Sequence, residues 1–169
     1  YDLQGDRAIT NNESSGTFSN YGTLRTSSAN GSATVSGVTF DNNGEINVQS
    51  GAVNFASGTL LFNDGTRFTG GGQVAVTGNA TFAGSITANH LTLGNSARFT
   101  GNNATLHGNA HWASGTLARN WSIAKGTTVT LPSGNAKNLD GMLINQGTIA
   151  AHDTLQLGFG SSLDNQSTY

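Results

Sequence analysis

Apolar residues along this chain come in short alternating pairs: Ile46/Val48, Val53/Phe55, Val74/Val76, Leu91/Leu93, Val129/Leu131 and Leu155/Leu157, with Leu24 standing alone. A period of two puts both members of a pair on one face of an extended strand, and such faces can share a core. No apolar series persists at helical spacing, glycine recurs throughout, and Thr, Val and Phe favour extended backbone, so the pattern predicts strands. Turn signals separate the pairs: Asn30-Gly31, Asn43-Gly44, Ser57-Gly58, Asp64-Gly65, Gly70 to Gly72 and Gly78-Asn79. Gly and Asn tolerate positive φ, which makes these segments corners. Pro132, the only proline, belongs at a strand end or turn, and Gly134 to Asp140 reads as a somewhat longer loop.

One motif, apolar-x-Asn-x-Gly-x-apolar, recurs as F-S-N-Y-G-T-L from Phe18, F-D-N-N-G-E-I from Phe40 and L-I-N-Q-G-T-I from Leu143. A partial copy, L-F-N-D-G-T, places Asn63 after Asn42 at nearly the interval that separates Asn42 from Asn20. A degenerate copy, L-D-N-Q-S-T-Y, places Asn165 after Asn145 at a similar interval. The stretch from Asn42 to Asn145 accommodates five units of the same size, so weaker copies are expected between the clear ones. Repetition at a period of roughly 20 residues predicts stacked coils, whereas an antiparallel sandwich or barrel would place strands roughly every eight to twelve residues. The expected fold is therefore all-β: a right-handed parallel β-helix, or β-solenoid, of about eight coils of roughly 20–22 residues, one domain over 1–169. At ~4.8 Å per rise, eight coils make a rod about 38 Å tall.

In such a rod the motif describes one corner. Phe18, Phe40 and Leu143 enter the core, and Leu24, Ile46 and Ile149 re-enter it. Asn20, Asn42, Asn63 and Asn145 turn or stack as an amide ladder, and Gly22, Gly44, Gly65 and Gly147 take the corner dihedrals that suit glycine. Phe55, Phe62, Phe68, Phe82 and Phe99 are expected to fill the core. Trp112 and Trp121 are the candidate glycan contacts, because an indole at a rod surface stacks on a sugar face. The charged opening Y-D-L-Q-G-D-R-A-I-T breaks the repeat and is expected to shield the first coil.

Composition narrows the function. Gly, Asn, Ser and Thr make up about half of the 169 residues, and charged residues only 9%, with a net charge of -2. No basic field suited to a phosphate backbone exists, so nucleic acid is not an expected partner. Cysteine is absent, which removes disulfides and thiolate chemistry and leaves an oxidising compartment open. No apolar run approaches transmembrane length. The chain lacks an initiator Met and a leader pattern, and its last motif stops under way, so it reads as an excerpt of a longer repetitive protein.

Candidate chemistry is sparse. The carboxylates are Asp2, Asp6, Glu13, Asp41, Glu45, Asp64, Asp140, Asp153 and Asp164. Of these, Asp41 and Asp64 could stack on successive coils, but solvated positions are expected for both. His107 and His111 are the only close histidines, and Gly108-Asn109 between them reads as a turn, not a metal-binding helix. Gly70 to Gly72 lacks both the aspartate of a calcium β-roll and the lysine of a P-loop. No catalytic residue, metal or cofactor is assigned, and the chain is expected not to be an enzyme.

The anchors and rung length resemble the repetitive shafts of filamentous-haemagglutinin-like exoproteins exported by two-partner secretion, and of related autotransporter passengers. The resemblance is strongest at F-S-N-Y-G-T-L, F-D-N-N-G-E-I-N-V-Q-S-G and L-I-N-Q-G-T-I. It implies a secreted or bacterial cell-surface location, passage through an outer-membrane transporter, and attachment to a host receptor, a glycan or a neighbouring cell. The alternative is a carbohydrate-binding or carbohydrate-processing β-helix such as a lyase or tailspike fragment. An ice- or crystal-surface binder would need an outward T-x-T ladder, which the sequence does not sustain.

Overall fold

The computed structural model describes residues 1–12, 16–27 and 31–167; Glu13, Asn30 and the last two residues of L-D-N-Q-S-T-Y lie outside them. Every strand pairing among the described residues is parallel and joins one coil to the next. The result is a right-handed parallel β-solenoid of about eight coils with three faces.

Face 1 starts with β3 (Thr17–Asn20) on β6 (Val38–Asn42) on β9 (Gly58–Phe62). It continues through β12 (Ala80–Leu93), β13 (Arg98–Trp112), β14 (Gly115–Ile123), β16 (Lys137–Asn145) and β18 (Leu155–Leu157). Face 2 begins with β1 (Asp2–Leu3), β4 (Thr23–Thr26), β7 (Glu45–Val48) and β10 (Arg67–Thr69), and ends on β19 (Ser162–Asn165). Face 3 carries β2 (Ala8–Thr10), β5 (Ser32–Ser36), β8 (Ala52–Phe55), β11 (Gln73–Val76), β15 (Thr128–Leu131) and β17 (Thr148–Ala151). The long strands of the middle coils run through corners: β12 alone pairs with β9, β10 and β11 in turn.

One inward column on face 1 shows the stacking: Phe18, Phe40, Leu60, Ala80, Phe99, Leu117, Leu139 and Leu157 lie one above another. The steps along it are unequal. Phe18 to Phe40 and Leu117 to Leu139 are long coils, while Phe99 to Leu117 and Leu139 to Leu157 are shorter than the repeat predicts. Backbone pairing fixes the rise, and the corners absorb the difference in length. A single hydrophobic cluster fills the interior.

Aromatic rings form its spine. Phe18 stacks on Phe40 at 5.7 Å and Phe62 on Phe82 at 4.8 Å, with Phe55 set between Phe40 and Phe62. Trp121 continues the spine at 5.3 Å from Phe82. It reaches that position because the residue paired with Phe82 on the next coil is Gly101. A Cβ at Gly101 would lie 2.6 Å from the Trp121 Nε1 and 2.4 Å from the Asn120 carbonyl oxygen.

The ends and corners differ from the sequence expectation. The opening decapeptide is not a shield over the first coil: Asp2–Leu3 and Ala8–Thr10 are themselves strands of it. Lys137 to Asp140, expected in a loop, belong to β16, and Leu139 enters the core opposite Leu117. Gly22, Gly44 and Gly147 do not have positive φ, whereas Gly65 does, at +83°. Gly44 and Gly147 are needed for close approach instead, since a Cβ there would lie 2.2 Å from the Gly22 carbonyl oxygen and 2.4 Å from that of Thr127.

Candidate functional surface

The corner asparagines occupy two different corners. Asn20 and Asn42 are in register, and the Asn20 Nδ2 donates to the Asn42 Oδ1 at 2.7 Å. The Asn42 Nδ2 in turn donates to the Thr66 Oγ1 at 2.9 Å and to the Gly44 carbonyl at 3.0 Å, so the amide ladder ends in a hydroxyl. All three side chains are buried, which makes these bonds obligatory: an unpaired buried amide has no water to turn to.

Asn63 is outside this ladder. The residue above Asn42 is Phe62, so the partial copy is displaced by one position, and a displacement of one turns a strand side chain from inside to outside. Asn63 therefore donates to Asp41 Oδ1 at 2.6 Å on the surface.

Asn145 also lies elsewhere. The Asn42 column runs through Phe62, Phe82, Gly101 and Arg119 to Gly141, and Asn145 falls beyond it at the far end of β16. There it pairs with Ile123 below and Asn165 above, and its Nδ2 donates to the Asn165 Oδ1 at 2.8 Å. Ile149 accordingly pairs with Val129 on face 3, while Leu24 and Ile46 belong to face 2. One spelling serves the face 1–face 2 corner near the start and the face 2–face 3 corner near the end.

Trp112 and Trp121, the candidate glycan contacts, are both about 1% exposed. Trp112 lies inward opposite Leu93, and the Trp121 Nε1 donates to the carbonyls of Ala118 at 3.1 Å and Phe99 at 3.3 Å. Neither indole offers a face to a sugar. Alternation decides this: each tryptophan occupies an inward strand position.

The surface is built from the outward columns. On face 1, Ser19, Asp41, Leu61, Thr81, Thr100, Ala118 and Asp140 stack coil on coil, so Leu61 and not Asp64 stands over Asp41. Asp64 instead accepts the Ser85 backbone N–H at 2.7 Å. Arg98 reaches across a whole coil to pair with Asp140 at 2.6 Å, and Ala118 in the coil between has no exposed surface.

Beside this pair lies a shallow depression lined by Thr59, Leu61, Asn79, Thr81, Arg98 and Thr100. A second, lined by Ser57, Thr77, Asn95 and Ser96 among others, shares Gly58 and Asn79 with it. Together they make one groove across the face 3–face 1 corner, where Gly58 and Gly78 let the chain lie close on the coil beneath: a Cβ there would be 2.1 Å from the Val38 carbonyl oxygen and 2.6 Å from that of Ala56. No sequence signal marks it, because the lining comes from consecutive coils.

Face 2 carries a charged ladder. Thr23, Glu45, Arg67, Thr87 and His107 form one outward column. The hydrogen bond from Thr69 Oγ1, at 2.6 Å, is the main reason the Glu45 carboxyl is held below its ordinary range; Asn47, Thr23 and Arg67 add to it. Asp2 is held down chiefly by the Arg25 hydrogen bond, and Asp153 by the backbone N–H groups of Thr154 and Gly134 and by Lys137. The Lys137 ammonium, fully buried, also donates to the Pro132 carbonyl and so ties the 132–136 segment to the following coil.

These carboxylates set an acid limit. A folded pKa below the unfolded value gives stability that is complete above about pH 4 and is lost as pH falls through the folded value. The urea midpoint is expected to be flat from neutral pH to about pH 5 and to fall below about pH 4. Glu45→Gln should make that fall shallower, as read from midpoints across the acid range.

Among the described residues no group of three or more His, Asp or Glu gathers at metal-binding distance. His107 and His111 are separated by the turn at Gly108, with φ +90°, and face different sides of the rod. Among the described residues no helix is long and apolar enough to cross a membrane. Comparison with family models, curated protein sequences and solved structures finds no match, so the assignment established for this chain is its fold, a right-handed parallel β-solenoid.

Proposed function

We propose that this solenoid is a structural and adhesive segment of a secreted bacterial surface protein, exported through an outer-membrane transporter and attaching to host receptors, glycans or neighbouring cells. The observation that carries the reading is the groove around Asn79. Its hydroxyls and amides complement saccharide hydroxyls, Leu61 offers an aliphatic patch for a sugar's C–H face, and Arg98 places a cation at its edge. Such contacts are individually weak, and a rod that presents many of them gains by multivalency. The function is attachment without turnover.

Binding to an immobilised glycan panel tests this. Thr59→Arg and Thr81→Arg fill the groove from outward positions and should weaken binding at least about tenfold, or ~1.4 kcal/mol, with no change in melting temperature. A wild-type chain that binds no glycan, or groove variants that bind as well as wild type, would remove the proposed attachment site. Shortening of the glycans on incubation would support the carbohydrate-processing alternative.

A further inference from the structure

We propose a second, independent site: His90 and His111 form a two-imidazole site for a divalent transition-metal ion at the face 2–face 3 corner. Both side chains are exposed. Leu91 and Ala110 are paired, buried and inward, so Thr92 and His111, the next residues along each strand, point out by alternation, while the residues before them, His90 and Asn109, are exposed. This puts His90 and Asn109 on the outer side of adjacent coils. Thr92 and His111 are the next outward pair in register, which sets the two imidazoles diagonally across neighbouring strands. Diagonal neighbours on a sheet stay within reach of long side chains. At His90 the backbone turns through φ +55°, where the register between β12 and β13 also shifts.

The outcome is a small cleft lined by Asn89, His90, Asn109 and His111. No carboxylate or cation lines it, so its chemistry is two imidazole nitrogens with amide oxygens beside them. Imidazole suits zinc, nickel and copper, whereas calcium and magnesium require oxygen cages. Two protein nitrogens leave the remaining coordination positions to water or to a ligand from outside. The sequence conceals this site because its histidines are separated by about one coil, while the nearer pair His107/His111 is split between faces.

Titration calorimetry of the intact chain with zinc, nickel and copper(II) sulfates is the test. One ion per chain at micromolar affinity is expected for at least one of them, with magnesium and calcium chlorides giving no heat. His90→Asn, chosen because Asn tolerates positive φ, and His111→Ala should each weaken binding at least about tenfold with unchanged circular dichroism. His107→Ala and His152→Ala should leave it intact. Copper(II) electron paramagnetic resonance should report two nitrogen ligands in the wild type and one in each cleft variant. Absence of transition-metal binding, equal loss in the His107 or His152 variants, or dependence on only one of the cleft histidines overturns the proposal.

Discussion

Trp121→Ala is expected to lower stability by about 3–5 kcal/mol, read from the urea midpoint together with loss of near-ultraviolet dichroism. The indole is fully buried, ends the aromatic spine 5.3 Å from Phe82, and supplies a hydrogen to two carbonyls. Truncation leaves a void that the adjacent coil has no side chain to fill, because Gly101 stands there. Gly101→Ala alone should also destabilise, since its Cβ would press on the indole and on the Asn120 carbonyl. Its cost should fall in the Trp121→Ala background, as residues that share a cavity are not additive. A loss under about 1 kcal/mol for Trp121→Ala would contradict the packing described.

The second large effect separates two glycines in the same motif position. Gly44→Ala is expected to cost about 3 kcal/mol, whereas Gly22→Ala should stay within about 0.5 kcal/mol of wild type. Neither has positive φ, so left-handed strain plays no part. A Cβ on Gly44 would meet the Gly22 carbonyl oxygen at 2.2 Å, and that oxygen already accepts the Glu45 N–H at 2.8 Å. Relief requires opening the β4–β7 ladder. A Cβ on Gly22 meets nothing within 4 Å. Equal effects at the two positions, measured by chemical denaturation, would mean that the coils are not in the register described.

Glycine at a corner suggests conformational freedom, yet its reason at Gly44 is the carbonyl of Gly22 in the coil beneath, a full coil away in the chain. Asn42 reads correctly as a partner of Asn20, because two complete copies on consecutive coils leave one register. Asn63 does not, because one displaced residue carries it from the ladder to the surface. Asn145 has the same spelling but another corner, since a coil that loses or gains residues shifts every later motif along the rung. The groove and the His90/His111 cleft leave no local trace, being made of side chains from different coils.

Alternation of apolar and polar residues by itself determined that this chain forms strands, and recurrence at roughly every 20 residues that they stack in parallel coils around one core. These two features are local, and each is repeated often enough to survive individual exceptions. Tertiary structure alone decided which corner each asparagine occupies, which glycines are indispensable, that both tryptophans lie inside, and where the surface is grooved. The physical reason is that backbone pairing fixes the distance between coils but not the number of residues in each, so contacts across coils depend on a running register that no single segment encodes.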